Sequence, residues 1–142
     1  MKKTKVFISH SSIDTWVATQ IAKQVQKTGA DTFLDEADIE HGDDFDNKIV
    51  DASKQCTELL LLLTPWSVQR PYIWLEIGFF RYDNKRIVGI LHGLEPEDIS
   101  GDPRIPVLLK KIDLVDINDI ESYFSQLHRR VTLVGDSHKN EI

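Results

Sequence analysis

The sequence is poor in the residues that make cross-links, membrane spans and nucleic-acid surfaces. It has one cysteine, Cys56, in 142 residues. That excludes an internal disulfide and a cysteine-based metal cluster, and it fits a reducing cytoplasm. Cys56 follows a helical pattern and precedes an apolar run, the setting of a small buried hydrophobe rather than a reactive thiol. The longest apolar run, residues 59–63, is far short of the roughly 20 residues a bilayer crossing takes. The basic opening Met-Lys-Lys-Thr-Lys leads only into Val6-Phe-Ile8 before Ser9 and His10, so no secretory signal is expected. Basic residues are outnumbered, 17 Lys and Arg against 23 Asp and Glu, for a net charge of -6. Nucleic acid is not an expected partner, since its phosphates call for a basic surface. Nor is an anionic membrane surface. Gly-x-Gly-x-x-Gly and Gly-x-x-x-x-Gly-Lys are both missing, which leaves a dinucleotide fingerprint or a phosphate-cradling loop without support.

What is present is the composition of one globular domain, 41% hydrophobic and 28% charged. Residues 5–9 form a short apolar segment with strand character, stopped by Ser-His-Ser-Ser. Asp14 is placed to cap a helix over 15–27, with Val17, Ile21 and Val25 as its buried stripe and Gly29 closing it. A second strand is expected at 30–34. Residues 35–46 follow as a loop with seven acidic residues and no Lys or Arg. A helix is expected over 45–55 and a central strand over 58–64, where five consecutive leucines suit burial on both faces. Pro71 fits the first turn of a third helix reaching about residue 83. A fourth strand is expected at 86–91, an irregular stretch with three prolines at 95–106, a fifth strand at 111–115 and a last helix at 117–131. Residues 1–135 make the domain and 136–142 a polar tail expected to fray. Alternating strands and helices imply a flavodoxin-like α/β three-layer sandwich, with a five-stranded, mostly parallel sheet in the order 2-1-3-4-5.

In that order ligands bind beyond the carboxyl ends of the first and third strands, where the strand order reverses. Those ends are Ser9-His10-Ser11-Ser12 and Thr64-Pro65-Trp66-Ser67. The third helix begins just past the second of them and carries Glu76 inside Tyr72-Ile-Trp-Leu-Glu-Ile-Gly-Phe-Phe80, the most apolar and aromatic run of the chain. A carboxylate there loses water on most sides, which is costly unless it is paired or kept for chemistry. A phosphoacceptor site needs an acidic pair after the first strand and an Asp after the third, and neither is present. A cysteine phosphatase loop is absent as well, and the acidic loop does not match calcium-ligand spacing, so no metal is expected. A carboxylate among hydroxyls and aromatics is the equipment of glycosidic cleavage, whose cationic transition state a carboxylate stabilises. Tyr72 and Phe80 flank Glu76 at four residues to either side. Gly78 costs the helix about 1 kcal/mol relative to Ala, a cost that close packing or ligand approach could offset.

Three segments resemble one family in order and spacing. Lys5-Val-Phe-Ile-Ser-His-Ser-Ser-Ile-Asp14 is similar to the opening box of Toll/interleukin-1 receptor (TIR) domains. Thr32-Phe-Leu-Asp-Glu-Ala-Asp-Ile-Glu-His-Gly-Asp-Asp-Phe45 resembles their second box and the loop after the second strand. Leu63-Thr-Pro-Trp-Ser67 with Trp74-Leu-Glu76 resembles their third strand and glutamate-bearing helix, in the style of bacterial members. The resemblance covers residues 5–133. It implies cleavage of the nicotinamide–ribose bond of NAD+, giving nicotinamide with ADP-ribose or a cyclic isomer. NAD+ is then substrate and no cofactor is implied. Glu76 matches the catalytic glutamate. Ser9, His10 and Asp35 are implied to line the substrate site, with Tyr72 and Trp74 as stacking groups. Enzymatic members carry Trp four residues before the glutamate, whereas this chain has Tyr72 there and Trp74 two before.

The resemblance further implies self-association through the 35–46 loop, activity on assembly and a part in bacterial anti-phage signalling. Some members, notably animal receptor adaptors, are pure assembly modules, so a non-enzymatic scaffold is the alternative. A nucleotide sensor that binds without cleaving is a third reading. Trp66 suits either the pocket mouth or an assembly surface, and Trp16 lies off the buried stripe of its helix, where a partner could reach it.

Overall fold

The computed structural model describes residues 3–35, 45–70, 72–105 and 107–140. Five strands, β1 (Lys5–Ser9), β2 (Asp31–Asp35), β3 (Glu58–Leu63), β4 (Arg86–Leu91) and β5 (Asp113–Asp116), form one sheet in the order β2-β1-β3-β4-β5. Every pairing is parallel, as expected of strands joined by helical crossovers. The helices are α1 (Thr15–Lys27), α2 (Phe45–Gln55), α3 (Tyr72–Tyr82), α4 (Pro96–Ser100), α5 (Val107–Lys110) and α6 (Ile120–Asn140).

β3 explains how the layers are held. All six of its residues are buried, and successive side chains enter opposite cores. Leu60 and Leu62 join Val6, Ile8, Ile21, Val25 and Leu127 under α1 and α6. Leu59, Leu61 and Leu63 join Phe7, Ile73, Ile77 and Phe80 under α2 and α3. Burying each such side chain contributes about 1.5–3 kcal/mol, so the unalternating run supplies both cores at once. Cys56 is fully buried in the second core. Gly89 of β4 is needed for space, since a Cβ there would stand 2.8 Å from Leu63 Cδ1 and 2.9 Å from Leu114 Cδ2. Gly29 closes α1 at φ +99°, a conformation L side chains rarely adopt.

The amino end of the sheet carries a polar anchor that sequence patterning did not single out. Glu58 opens β3 only 4% exposed. Arg130 Nη2 of α6 donates to both of its oxygens, at 2.9 and 2.8 Å, and Tyr123 Oη donates to Oε2 at 2.7 Å. Burial, and after it the charge of Glu58, pushes the Tyr123 phenol well above its ordinary pKa. Three bonds thus tie α6 to the central strand.

Several boundaries differ from those read in the sequence. The stretch 95–106 is not irregular throughout, because Pro96 sits in the first turn of α4. Glu95 and Asp98 form a reciprocal capping box there, so the proline starts a helix rather than breaking one. α5 adds a further turn. β5 begins at Asp113 rather than 111, and the backbone of α6 stays helical through Asn140, where a frayed tail from residue 136 was expected. Asp14 stands at the start of α1 without a side-chain cap bond. The segment 36–44, which holds most of the acidic loop, lies outside the described residues.

Candidate active site at the carboxyl end of the sheet

α3 returns from β3 to β4, so it runs antiparallel to the strands. Its buried face is Ile73, Glu76, Ile77 and Phe80, and this fixes where Glu76 lies. Phe80 packs edge-on against Phe7 of β1, ring centroids 5.6 Å apart at 73°. Four residues back along α3 is a rise of about 6 Å toward the carboxyl ends of the strands. Two residues forward along β1 is about 6.6 Å on the same sheet face. Both paths lead to one level, with Glu76 on the helix and Ser9 on the strand beneath it.

Glu76 is 0% exposed, so it is not a solvated helix glutamate. Its burial follows from its place in the stripe, between Ile73 and Phe80, where an apolar side chain would otherwise pack. Ser9 is 1% exposed, and its Oγ has no hydrogen-bond partner among the described residues. A buried hydroxyl without a partner is uncommon, because it forfeits its bonds to water. His10 and Ser11, which follow it, are buried too. Asp35 pairs in register with Ser9 at the end of β2, so its backbone stands at the same rim.

The aromatic residues divide. Tyr72 lies one turn before Glu76 on the same side of α3 and is 43% exposed. Trp74 lies two residues from Glu76, about 200° around the helix. It is half-buried and walls two grooves instead. One groove, of about 530 Å³, runs between α2 and α3 past Val50, Leu75 and Gly78. The other, of about 500 Å³, lies between α3 and α4 beside Val68, Leu94 and Ile99. Asp102 sits on the rim of the second, its carboxyl held below the usual range by hydrogen bonds from Arg104. Neither groove is lined by Glu76. Trp66 and Trp16 are 53% and 73% exposed. Packing does not account for Gly78, since a Cβ there would meet nothing within 4 Å.

Sequence reading missed the ties across the switch point. Thr64 Oγ1 donates to Asp14 Oδ2 at 2.7 Å, and Arg70 Nη1 donates to the His10 carbonyl. Thr64 and Ser67, three apart in a turn, carried a weak side-chain-to-backbone signal. Arg70 carried none. Among the described residues no group of three or more His, Cys, Asp or Glu is placed to hold a metal ion. None of the helices searched among them is long and apolar enough to cross a membrane.

A doubly wound parallel sheet, with a buried glutamate over the strand ends where its order reverses, defines the class: a flavodoxin-like α/β domain. The family model described as TIR domain matches residues 6–131, and the chain belongs to the TIR-domain family. Over 97 residues it is 27% identical to a Brachypodium distachyon protein named probable 2' cyclic ADP-D-ribose synthase BdTIR. The match takes in 67% of this chain and 43% of that protein, so the chain spans less than half the length of that relative. Two solved structures share the fold. The TIR domain of the Toll-related receptor TRR-2 from Hydra magnipapillata superposes with a TM-score of 0.64 at 19% identity, covering 89% of this chain and 97% of that one. The Clostridium botulinum CMP N-glycosidase BcmB superposes with a TM-score of 0.58 at 15% identity, covering 87% and 98%.

Proposed function

We propose that this TIR domain is an NAD+ nucleosidase that cleaves the nicotinamide–ribose bond, with Glu76 as its catalytic carboxylate. The observation that carries the reading is the fully buried Glu76 at the level of Ser9. The cyclic ADP-ribose synthase name of the Brachypodium relative supports it. The C–N bond breaks with its electron pair returning to the pyridinium nitrogen, so nicotinamide leaves neutral and the positive charge passes to the ribose. Glu76 accepts hydrogen bonds from the ribose hydroxyls and stabilises that cation in a site stripped of water. Departure of a neutral base needs no proton, so His10 acts as a contact rather than a general acid. Water then attacks and releases a proton, giving ADP-ribose, or the substrate's own adenine attacks and closes a ring. In this reading Ser9, Asp35 and Tyr72 contact the substrate, whereas Trp74, expected from the sequence as a stacking group, walls the grooves on the other side of α3 and does not.

The proposal includes activity on assembly, with the 35–46 loop of one subunit completing the crevice of another. It places the protein in the cytoplasm of a bacterium, where NAD+ loss or a cyclic product signals phage infection. The test is nicotinamide release at rising protein concentration, with Glu76→Gln alongside. Release that climbs faster than concentration and vanishes in Glu76→Gln is expected. Wild-type activity in the variant removes the catalytic assignment. The second reading is an assembly module without turnover. The exposed Ile13 and Trp16 beside the start of α1 favour it. It predicts self-association with no nicotinamide at any concentration.

A further inference from the structure

We propose that Asp14 is a positioning residue for the reaction at Glu76, acting through Thr64 to hold the loop after β1 against the loop that leads into α3. The inference rests on the cleavage reading above and adds the groups that set the width of its crevice.

Asp14 occupies the N-cap position of α1, where a carboxylate ordinarily accepts from the first free backbone N–H groups. Its side chain makes no such bond. It is 6% exposed, and its Oδ2 accepts instead from Thr64 Oγ1 at 2.7 Å, across 50 residues of sequence. The direction of that bond is forced. Thr64 Oγ1 also accepts from the Ser67 N–H at 3.1 Å. A carboxylate has no proton to give and a hydroxyl has one, so the Thr64 proton goes to Asp14 and its oxygen accepts from Ser67. Ser67 is fixed in the same way, donating to the Leu62 carbonyl at 2.7 Å and accepting from the Thr64 N–H at 2.8 Å. Thr64 and Ser67 are both 0% exposed.

The bonded path continues into α3. The Arg70 N–H donates to the Ser67 carbonyl at 3.0 Å, and the Ile73 N–H to the Arg70 carbonyl at 3.3 Å. Ile73 precedes Glu76 by one turn on the same buried face. Arg70 Nη1, donating to the His10 carbonyl, makes a second tie back to β1. Both ends of the loop after β1, His10 and Asp14, are thereby fastened to the segment that orients the Glu76 helix. A displacement of about 1 Å at a reacting group can cost on the order of 100-fold in rate, so these ties bear on turnover as well as on folding.

The experiment compares Thr64→Val, which keeps the volume and loses the hydroxyl, with Thr64→Ser, which keeps the hydroxyl. Thr64→Val is expected to lower kcat for nicotinamide release by roughly ten- to a hundredfold with KM within about twofold. Thr64→Ser is expected to recover kcat to within about threefold of wild type. A purely structural tie lowers Tm and leaves kcat per folded molecule intact. Unchanged kcat in folded Thr64→Val, or Thr64→Ser as slow as Thr64→Val, overturns the proposal. Silence of the wild type tells against nicotinamide cleavage itself. Amide exchange then decides the clamp without turnover: faster exchange over residues 10–14 in Thr64→Val, with β1 unchanged, upholds it, and equal exchange overturns it.

Discussion

Glu58 and Glu76 are the two buried glutamates among the described residues, and they stand at opposite ends of one sheet. Glu58 begins the central strand and is gripped by the guanidinium of Arg130 and the phenol of Tyr123. Glu76 interrupts the apolar face of α3, between Ile73, Ile77 and Phe80. The same side chain at similar burial therefore has two settings. At the amino end, charge is surrounded by donors from a helix packed on the other side of the sheet, and its work is to hold. At the carboxyl end it lies at the level of the buried hydroxyl of Ser9, where the proposed substrate site is. Burial alone does not separate the anchoring role of Glu58 from the catalytic role proposed for Glu76; their neighbouring side chains differ.

The comparison breaks most sharply under the same substitution at both positions. Glu76→Gln is expected to lower nicotinamide release by about 1,000-fold or more, roughly 4 kcal/mol of transition-state stabilisation, with an unchanged or higher Tm. Glu58→Gln is expected to do the reverse, lowering stability in urea by about 2–3 kcal/mol, because it leaves Arg130 facing a neutral amide. Activity per folded molecule should stay within about twofold. Equal effects of the two variants on Tm and turnover would erase the distinction.

A smaller effect sharpens the amino-end half. Tyr123→Phe removes one hydrogen bond to a charged acceptor, an expected loss of about 1.5 kcal/mol at neutral pH. The pH profile gives a second reading. The folded phenol keeps its proton above the ordinary value near 10, where the unfolded chain gives its proton up. Fewer protons on the unfolded state mean that wild-type stability falls as pH rises above about 10. Tyr123→Phe should lose that part of the alkaline slope, measured as urea midpoints from pH 8 to 11. The smallest effect concerns α3. Gly78→Ala meets no atom within 4 Å and should stabilise the domain by about 0.5–1 kcal/mol. If turnover falls while stability rises, α3 has given up helix stability for access near Glu76.

The contrast also shows what could be read from residues alone. The strand order and most element boundaries followed from period and punctuation, because the leucine run, Gly29 and Pro71 each impose a local geometry. Glu76 was legible for a related reason, since a lone charge in an apolar run is conspicuous without coordinates. Glu58 was not, because its partners Tyr123 and Arg130 lie 65 and 72 residues away, and only tertiary packing brings them together. Asp14 read as a helix cap because its local options pointed there, and a partner 50 residues off took the carboxylate instead. α4 was hidden for the opposite reason. Its proline is both a breaker and a starter, and the capping box of Glu95 and Asp98 decides between them.

The leucine run of β3 also has a bearing on the chain before it folds. The uncharged Leu59–Leu63 tract is the kind of segment that seeks strand partners in other molecules while exposed. Its own neighbour β4 begins 28 residues after β3 does, so during synthesis the tract emerges before that partner exists. Its flanks carry a charge at Glu58 and a proline at Pro65, the two residue kinds that discourage intermolecular pairing. Glu58 thus guards the strand against aggregation before Arg130 has been made, and anchors it afterwards.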